Sequence, residues 1–105
     1  MAEVATIRRW TMNEGFEEAE LLTLVRDRLI PAYNGVPGCI RQHLFRSGGP
    51  RSYVALTFWD SKESLDAWSG AGGQSWRDQH RDVLARWLEL MSFREEFDAD
   101  VLVSN

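Results

Sequence analysis

The chain has 105 residues, enough for one domain (1–105) around one core. Its net charge of −4 argues against a general nucleic-acid or anionic-membrane binder, which needs a basic surface. A lone cysteine, Cys39, excludes an internal disulfide and suits a reducing compartment, so a soluble cytoplasmic protein is expected. Val4 to Trp10 reads as a first strand, rich in β-branched and aromatic residues. Val4, Thr6, Arg8 and Trp10 share one face and Ala5, Ile7 and Arg9 the other, and neither face is purely apolar. Asn13-Glu14-Gly15 then opens a helix with Asn13 as its expected cap and Glu17, Glu18 and Glu20 in the early turns, where the dipole favours anions. Phe16, Ala19, Leu22, Val25 and Leu29 form the inward stripe, and Pro31 is expected to end or kink the helix.

After the turn residues Asn34-Gly35 and Pro37-Gly38, Cys39 to Ser47 reads as a second strand and Arg51 to Trp59 as a third. Ser47-Gly48-Gly49-Pro50 between them predicts an antiparallel hairpin. The third strand is apolar on both sides, so both its faces need cover. Asp60-Ser61-Lys62-Glu63 fits a capping box with Asp60 as cap, opening a short helix whose inward residues are Leu65 and Trp68. The glycine-rich stretch 69–73 ends it, and a long helix follows from about Gln74. That helix carries Trp76, His80, Val83, Leu84, Trp87, Leu88 and Met91 along one stripe. Phe93 to Val103 closes the chain as a strand with one apolar and one charged face.

The order β-α-β-β-α-α-β is that of a ferredoxin-like α+β domain with a four-stranded antiparallel sheet and helices on one face. The strands carry more apolar residues than one helical layer covers. Two such sheets packing face to face would bury the surplus, so a homodimer is expected. The N-terminal Met1-Ala2-Glu3-Val4 lacks the basic region and apolar run of a secretory signal, and no stretch approaches the roughly 20 apolar residues that span a bilayer.

His80 is the main functional candidate, because a titratable side chain among tryptophans needs a partner or a purpose. One reading makes it a general base on a phenolic substrate, or an axial ligand to haem iron. The other makes it a core histidine bonded to a backbone carbonyl or to an acid such as Asp60. Trp68 and Trp76 are candidate flat walls for an aromatic ligand, or core plugs between helix and sheet. Arg8 is a candidate partner for an anionic or enolate oxygen, or a strand arginine paired with an acid. His43 and Cys39, four apart on a strand without further ligands, do not make a metal site. No glycine-rich segment matches a phosphate-binding fingerprint.

Val36-Pro37-Gly38-Cys39 and Phe58-Trp59-Asp60-Ser61-Lys62-Glu63, extended by Ala67-Trp68 and His80, resemble the antibiotic-biosynthesis-monooxygenase (ABM) family of dimeric α+β barrels. The resemblance implies a cofactor-independent monooxygenase acting on an aromatic, polyketide- or quinol-like small molecule. Its alternatives are a haem-binding and haem-degrading enzyme, and a non-catalytic small-molecule-binding dimer. Trp68 matches the family's pocket tryptophan. Two departures accompany the match. Arg8 stands where haem-degrading members carry an Asn on the first strand, and extra glycines lengthen the segment from Trp68 to His80.

Overall fold

A computed structural model of the protein describes residues 3–103. Met1 and Ala2, where the reading of the N-terminus begins, lie outside them. The elements are β1 (Val4–Met12), α1 (Glu18–Leu24), a π-helical turn (Val25–Leu29), α2 (Ile30–Tyr33), β2 (Cys39–Arg46) and β3 (Ser52–Trp59). There follow α3 (Lys62–Ser69), a 3-10 turn (Ala71–Gly73), α4 (Gln74–Gln79), α5 (Arg81–Leu90) and β4 (Met91–Asp100). The sheet runs β2-β3-β1-β4, antiparallel throughout. This is the expected ferredoxin-like α+β arrangement. No helix among the described residues is long and apolar enough to cross a membrane.

Strand register settles which face of β1 the helices cover. Val4 pairs with Trp59, Thr6 with Thr57, Arg8 with Ala55 and Trp10 with Tyr53. Of these, Val4, Thr6, Tyr53, Thr57 and Trp59 are buried. The apolar residues beneath the helices form two clusters. Met12, Leu21, Val25, Tyr53, Trp87, Leu90 and Met91 make the larger. Val4, Val36, Trp59 and Leu65 make the smaller. Arg8 lies on β1 between the ends that feed them. The opposite sheet face leaves Phe45 49% and Phe97 48% exposed, as a second apolar layer without cover.

Local chemistry departs from the expected pattern in six places. On α1 Leu21 is fully buried and Leu22, expected on the inward stripe, is 37% exposed. Asn13 does not cap α1. Its amide donates to Glu89 O at 2.8 Å and its carbonyl oxygen accepts from Ser92 Oγ at 2.5 Å, tying the β1 end to β4, and the helix starts after Glu17. Pro31 does not end the helix. A proline ring inside an α-helix collides with the carbonyl four residues back. Here the preceding turn widens to π geometry, with Ile30 N–H reaching Val25 O, and the helix continues to Tyr33. The cap of α3 is Ser61, not Asp60. Ser61 Oγ accepts from Ser64 N–H at 3.2 Å, while Asp60 Oδ1 accepts from Ser64 Oγ at 2.6 Å.

The long helix is broken in two. His80 takes φ −112° and ψ 27°, outside helical geometry, and α5 begins after it. On α5 the buried side chains are Val83, Trp87 and Leu90, whereas Leu88 is 61% exposed. Finally, β4 does not keep one apolar face. Its pairing shifts between Arg9 and Trp10, so that Glu95 faces Arg9 but Phe93 faces Trp10. The inserted Arg94 is a bulge, and it moves Phe93 to the helix side, 5.4 Å from the Trp10 ring. Phe97 stays on the open side, opposite Ile7.

Gly38 links the two sequence stretches that carry the family resemblance. Its φ of +82° favours glycine, and a Cβ there would overlap the Ser64 side chain. Gly38 O accepts Asp60 N–H at 2.8 Å, so the turn before β2 is fastened to the start of α3.

Glu18 fastens α1 to the sheet. Its carboxylate accepts from Arg46 Nε at 2.8 Å, from Arg46 Nη2, and from Tyr53 OH at 2.7 Å. Arg46 first, then Tyr53, hold the Glu18 carboxyl at about 2, below its ordinary 4.5. A depressed folded value gives stability that is complete above about 4.5 and fades as pH falls towards about 2. Urea midpoints measured between those limits should fall with acidification, and Glu18→Gln should flatten that slope. An unchanged slope in the variant would remove Glu18 from the acid response.

Candidate functional site

Where the two apolar clusters part, the structure forms a half-open cavity of about 250 Å³ between helices and sheet. Arg8, Tyr33, Gln42, Trp68, Leu84 and Trp87 are among its lining residues. Each reaches it through a local cause. The alternation of β1 turns Arg8 to the helix side, and the π turn carries Tyr33 past Pro31 onto the cavity wall. The Ser61 cap sets α3 so that Leu65 enters the smaller core and Trp68 the wall.

Trp68 is held from several sides. Its ring lies 5.4 Å from Trp59, 5.6 Å from Tyr33 and 5.8 Å from Trp76. Arg77 donates to Trp68 O at 3.1 Å and to Gly70 O at 2.9 Å, and its guanidinium lies 5.9 Å from the indole. Gly73 packs so close to Trp68 O that any Cβ would collide with it. The glycine-rich stretch is therefore a close-packing device that fixes the tryptophan's backbone. Trp68 Nε1 is buried and has no partner among the described residues.

Arg8 is the one permanently charged side chain lining the cavity among the described residues. Its Nε donates to Glu96 on β4, its side chain is 23% exposed, and its guanidinium carbon lies 6.0 Å from the Trp68 ring. Burial pushes the Tyr33 phenol up to about 12, with the nearby Arg8 charge acting the other way. Tyr33 is thus a neutral hydroxyl at ordinary pH.

The structure brings Arg8 and Trp68 together on one cavity and sets Trp76 and His80 beside it. Trp76 donates its Nε1–H to Ala32 O at 2.8 Å and packs 4.6 Å from Tyr33. It borders a larger, more open outer groove of about 510 Å³, which Trp68 also borders. His80 is half-buried, its ring 4.9 Å from Trp76, one helical turn before Leu84. It is not among the residues lining the inner cavity. Asp60, its suggested acid partner, accepts from Ser64 and Ser61 instead. His43 stacks 5.8 Å from Phe45 on the open sheet face. Burial raises the Cys39 thiol, countered by the Gln42 amide at 3.8 Å. No group of three or more possible metal ligands occurs among the described residues.

Sequence reasoning missed Tyr33, Trp87 and Gln42 as cavity residues. For Tyr33 a signal was present: it continues the Val25, Leu29 spacing by one more turn, once Pro31 is allowed inside the helix.

No curated protein matches the sequence. Among solved structures, SnoaB, a cofactor-independent oxygenase from Streptomyces nogalater, aligns with a TM-score of 0.69 at 20% identity over 99% of this chain and 97% of its own. The heme-degrader MhuD from Mycobacterium tuberculosis, with two hemes bound, aligns at 0.74 and 21% identity over 97% and 98%. HapK from Hahella chejuensis aligns at 0.75 and 13% identity over 97% and 95%. At these identities the likeness is one of fold. The family model described as antibiotic biosynthesis monooxygenase matches residues 4–86, most of the chain, and the protein belongs to that family.

Proposed function

We propose that the protein is a cofactor-independent monooxygenase that oxidises an aromatic, polyketide- or quinol-like small molecule with O2. The observation that carries this reading is the aromatic-walled cavity of about 250 Å³ with a single cation on its wall. A flat, mostly apolar molecule suits those walls. In such chemistry the deprotonated substrate itself delivers electrons to oxygen. When a ring CH2 is oxidised, one oxygen atom becomes the new carbonyl and the other leaves as water. The protein need only remove a proton, hold the ring and stabilise the anion. Here Trp68 is a wall of the site, Trp76 supports it from behind, and Arg8 meets the substrate's anionic oxygen. His80, one turn before the lining residue Leu84 but outside the cavity wall, is the base in this reading, acting through a bridging water.

Oxygen uptake with anthrone- or quinol-type compounds tests this. His80→Ala should lower uptake by about 10²–10⁴-fold, the usual worth of a general base. Undiminished uptake in that variant would place the base elsewhere. No uptake with any such compound would leave a small-molecule-binding dimer as the better account.

Haem is the alternative cofactor. The cavity falls below the ~300–1,000 Å³ of typical ligand pockets. These side chains as placed do not fit a haem, and the reading runs without one. Haemin titration of the purified protein should give no saturable Soret shift. A shift lost in His80→Ala would replace the monooxygenase reading by a haem one.

The open face of the sheet supports a homodimer, with Ile7, Phe45 and Phe97 covered by a second copy. The unbridged Cys39 suits a cytoplasmic setting.

A further inference from the structure

We propose that Arg8 makes the cavity selective for an aromatic acid, a fused-ring molecule that carries a carboxylate next to the ring. This rests on the reading of the cavity as a substrate site, and it narrows the substrate class within it.

The chain as a whole is acidic, yet no Asp or Glu lines the cavity among the described residues. Its wall holds the Arg8 cation and the neutral Tyr33 hydroxyl, together with Gln42, His43 and Thr57. A ligand that supplies anionic acceptor oxygens would complete the Arg8 fork.

Geometry then selects the kind of anion. Arg8 uses Nε on Glu96, and among the described residues its two terminal nitrogens have no protein acceptor. Their paired N–H groups form a fork that matches two oxygens at carboxylate spacing better than one phenolate oxygen. The guanidinium sits 6.0 Å from the Trp68 ring, so a ring lying along the indole brings a neighbouring carboxylate to the fork. Glu96, 46% exposed on the edge strand, keeps the cation partly neutralised and competes with that ligand. Asp98 is also on the helix-side register of β4, opposite Thr6, but it does not line the cavity.

The test compares 1-hydroxy-2-naphthoate with its methyl ester by isothermal titration calorimetry on the intact protein. The acid should bind at least about tenfold more tightly than the ester, as a charge-assisted bidentate pair warrants. Arg8→Met should abolish the acid's advantage over the ester. Glu96→Gln, at an exposed strand edge, should tighten the acid several-fold and spare the ester. Equal binding of acid and ester by the unaltered protein, or a preference that survives Arg8→Met, would overturn the proposal while the cavity reading stands. Binding of neither compound would remove the cavity reading and this proposal with it. If Arg8→Met fails to fold by circular dichroism, Glu96→Gln decides, and an acid affinity that does not rise counts against Arg8.

Discussion

Trp59→Ala is expected to lower stability by about 3–5 kcal/mol, read as a drop in the denaturant midpoint. Trp59 ends β3 at 1% exposure, paired with Val4 on one side and Cys39 on the other. It packs with Val36 and Leu65, so removing it empties the centre of the smaller core. Its ring also backs Trp68 at 5.4 Å. The cavity wall would therefore loosen, and affinity for aromatic acids should fall in the same variant. The indole N–H of Trp59 is buried without a partner, however. An unpaired buried donor costs about 1–3 kcal/mol, which Trp59→Phe would relieve while keeping most of the ring. Trp59→Phe should thus lie within about 1 kcal/mol of the unaltered protein, because lost packing and relieved desolvation offset one another. If Phe proves as damaging as Ala, the N–H has a partner in solution and this account of the core is wrong.

The fold was legible because its signals are periodic and redundant. The β-branched and aromatic strands at 4–10 and 52–59, the glycine-proline hairpin and the capped helix around 61–69 all point to one topology. The places that misled are those where one residue moves a whole face. Arg94 is inserted in β4, and a pattern of two read straight through it puts Phe93 and Phe97 on one side of the sheet. His80 leaves helical geometry between α4 and α5, so a stripe drawn from Trp76 to Met91 joins residues of two helices. Nothing in the local spacing announces either event. Pro31 misled differently. Its effect was spread over the preceding turn, and Tyr33 reached the cavity as a result. Of the candidate site residues, Trp68 sits on a helix whose inward face follows from pattern, whereas Arg8's side of β1 follows only from strand register; the structure brings these two together. Trp76 precedes the break and His80 forms it, and their places depended on a backbone turn that the pattern does not encode.

Ile7→Asp is expected to convert a dimer into monomers, with sedimentation velocity as the readout. Ile7 lies mid-sheet on the uncovered face, with Leu56 and Phe97 as its neighbours in register. Two-fold pairing would place the change in the interface twice. Two carboxylates buried without partners would cost on the order of 3 kcal/mol or more, raising the dissociation constant at least about 100-fold. The same position faces water in a lone subunit, so folding of the variant should survive. That separates loss of pairing from loss of fold, with circular dichroism recorded alongside. The apolar residues on this face have neighbours in their own sheet but nothing above them, and Phe45 and Phe97 are about half exposed. A solvated face would favour polar residues at such positions, as the charged exterior of α5 has. If the unaltered protein sediments as a monomer at tens of micromolar, roughly where an obligate interface is fully formed, this face has another use and the pairing is wrong. If it pairs and Ile7→Asp still pairs, the contact lies on some other surface, and the sheet's apolar layer stays unexplained.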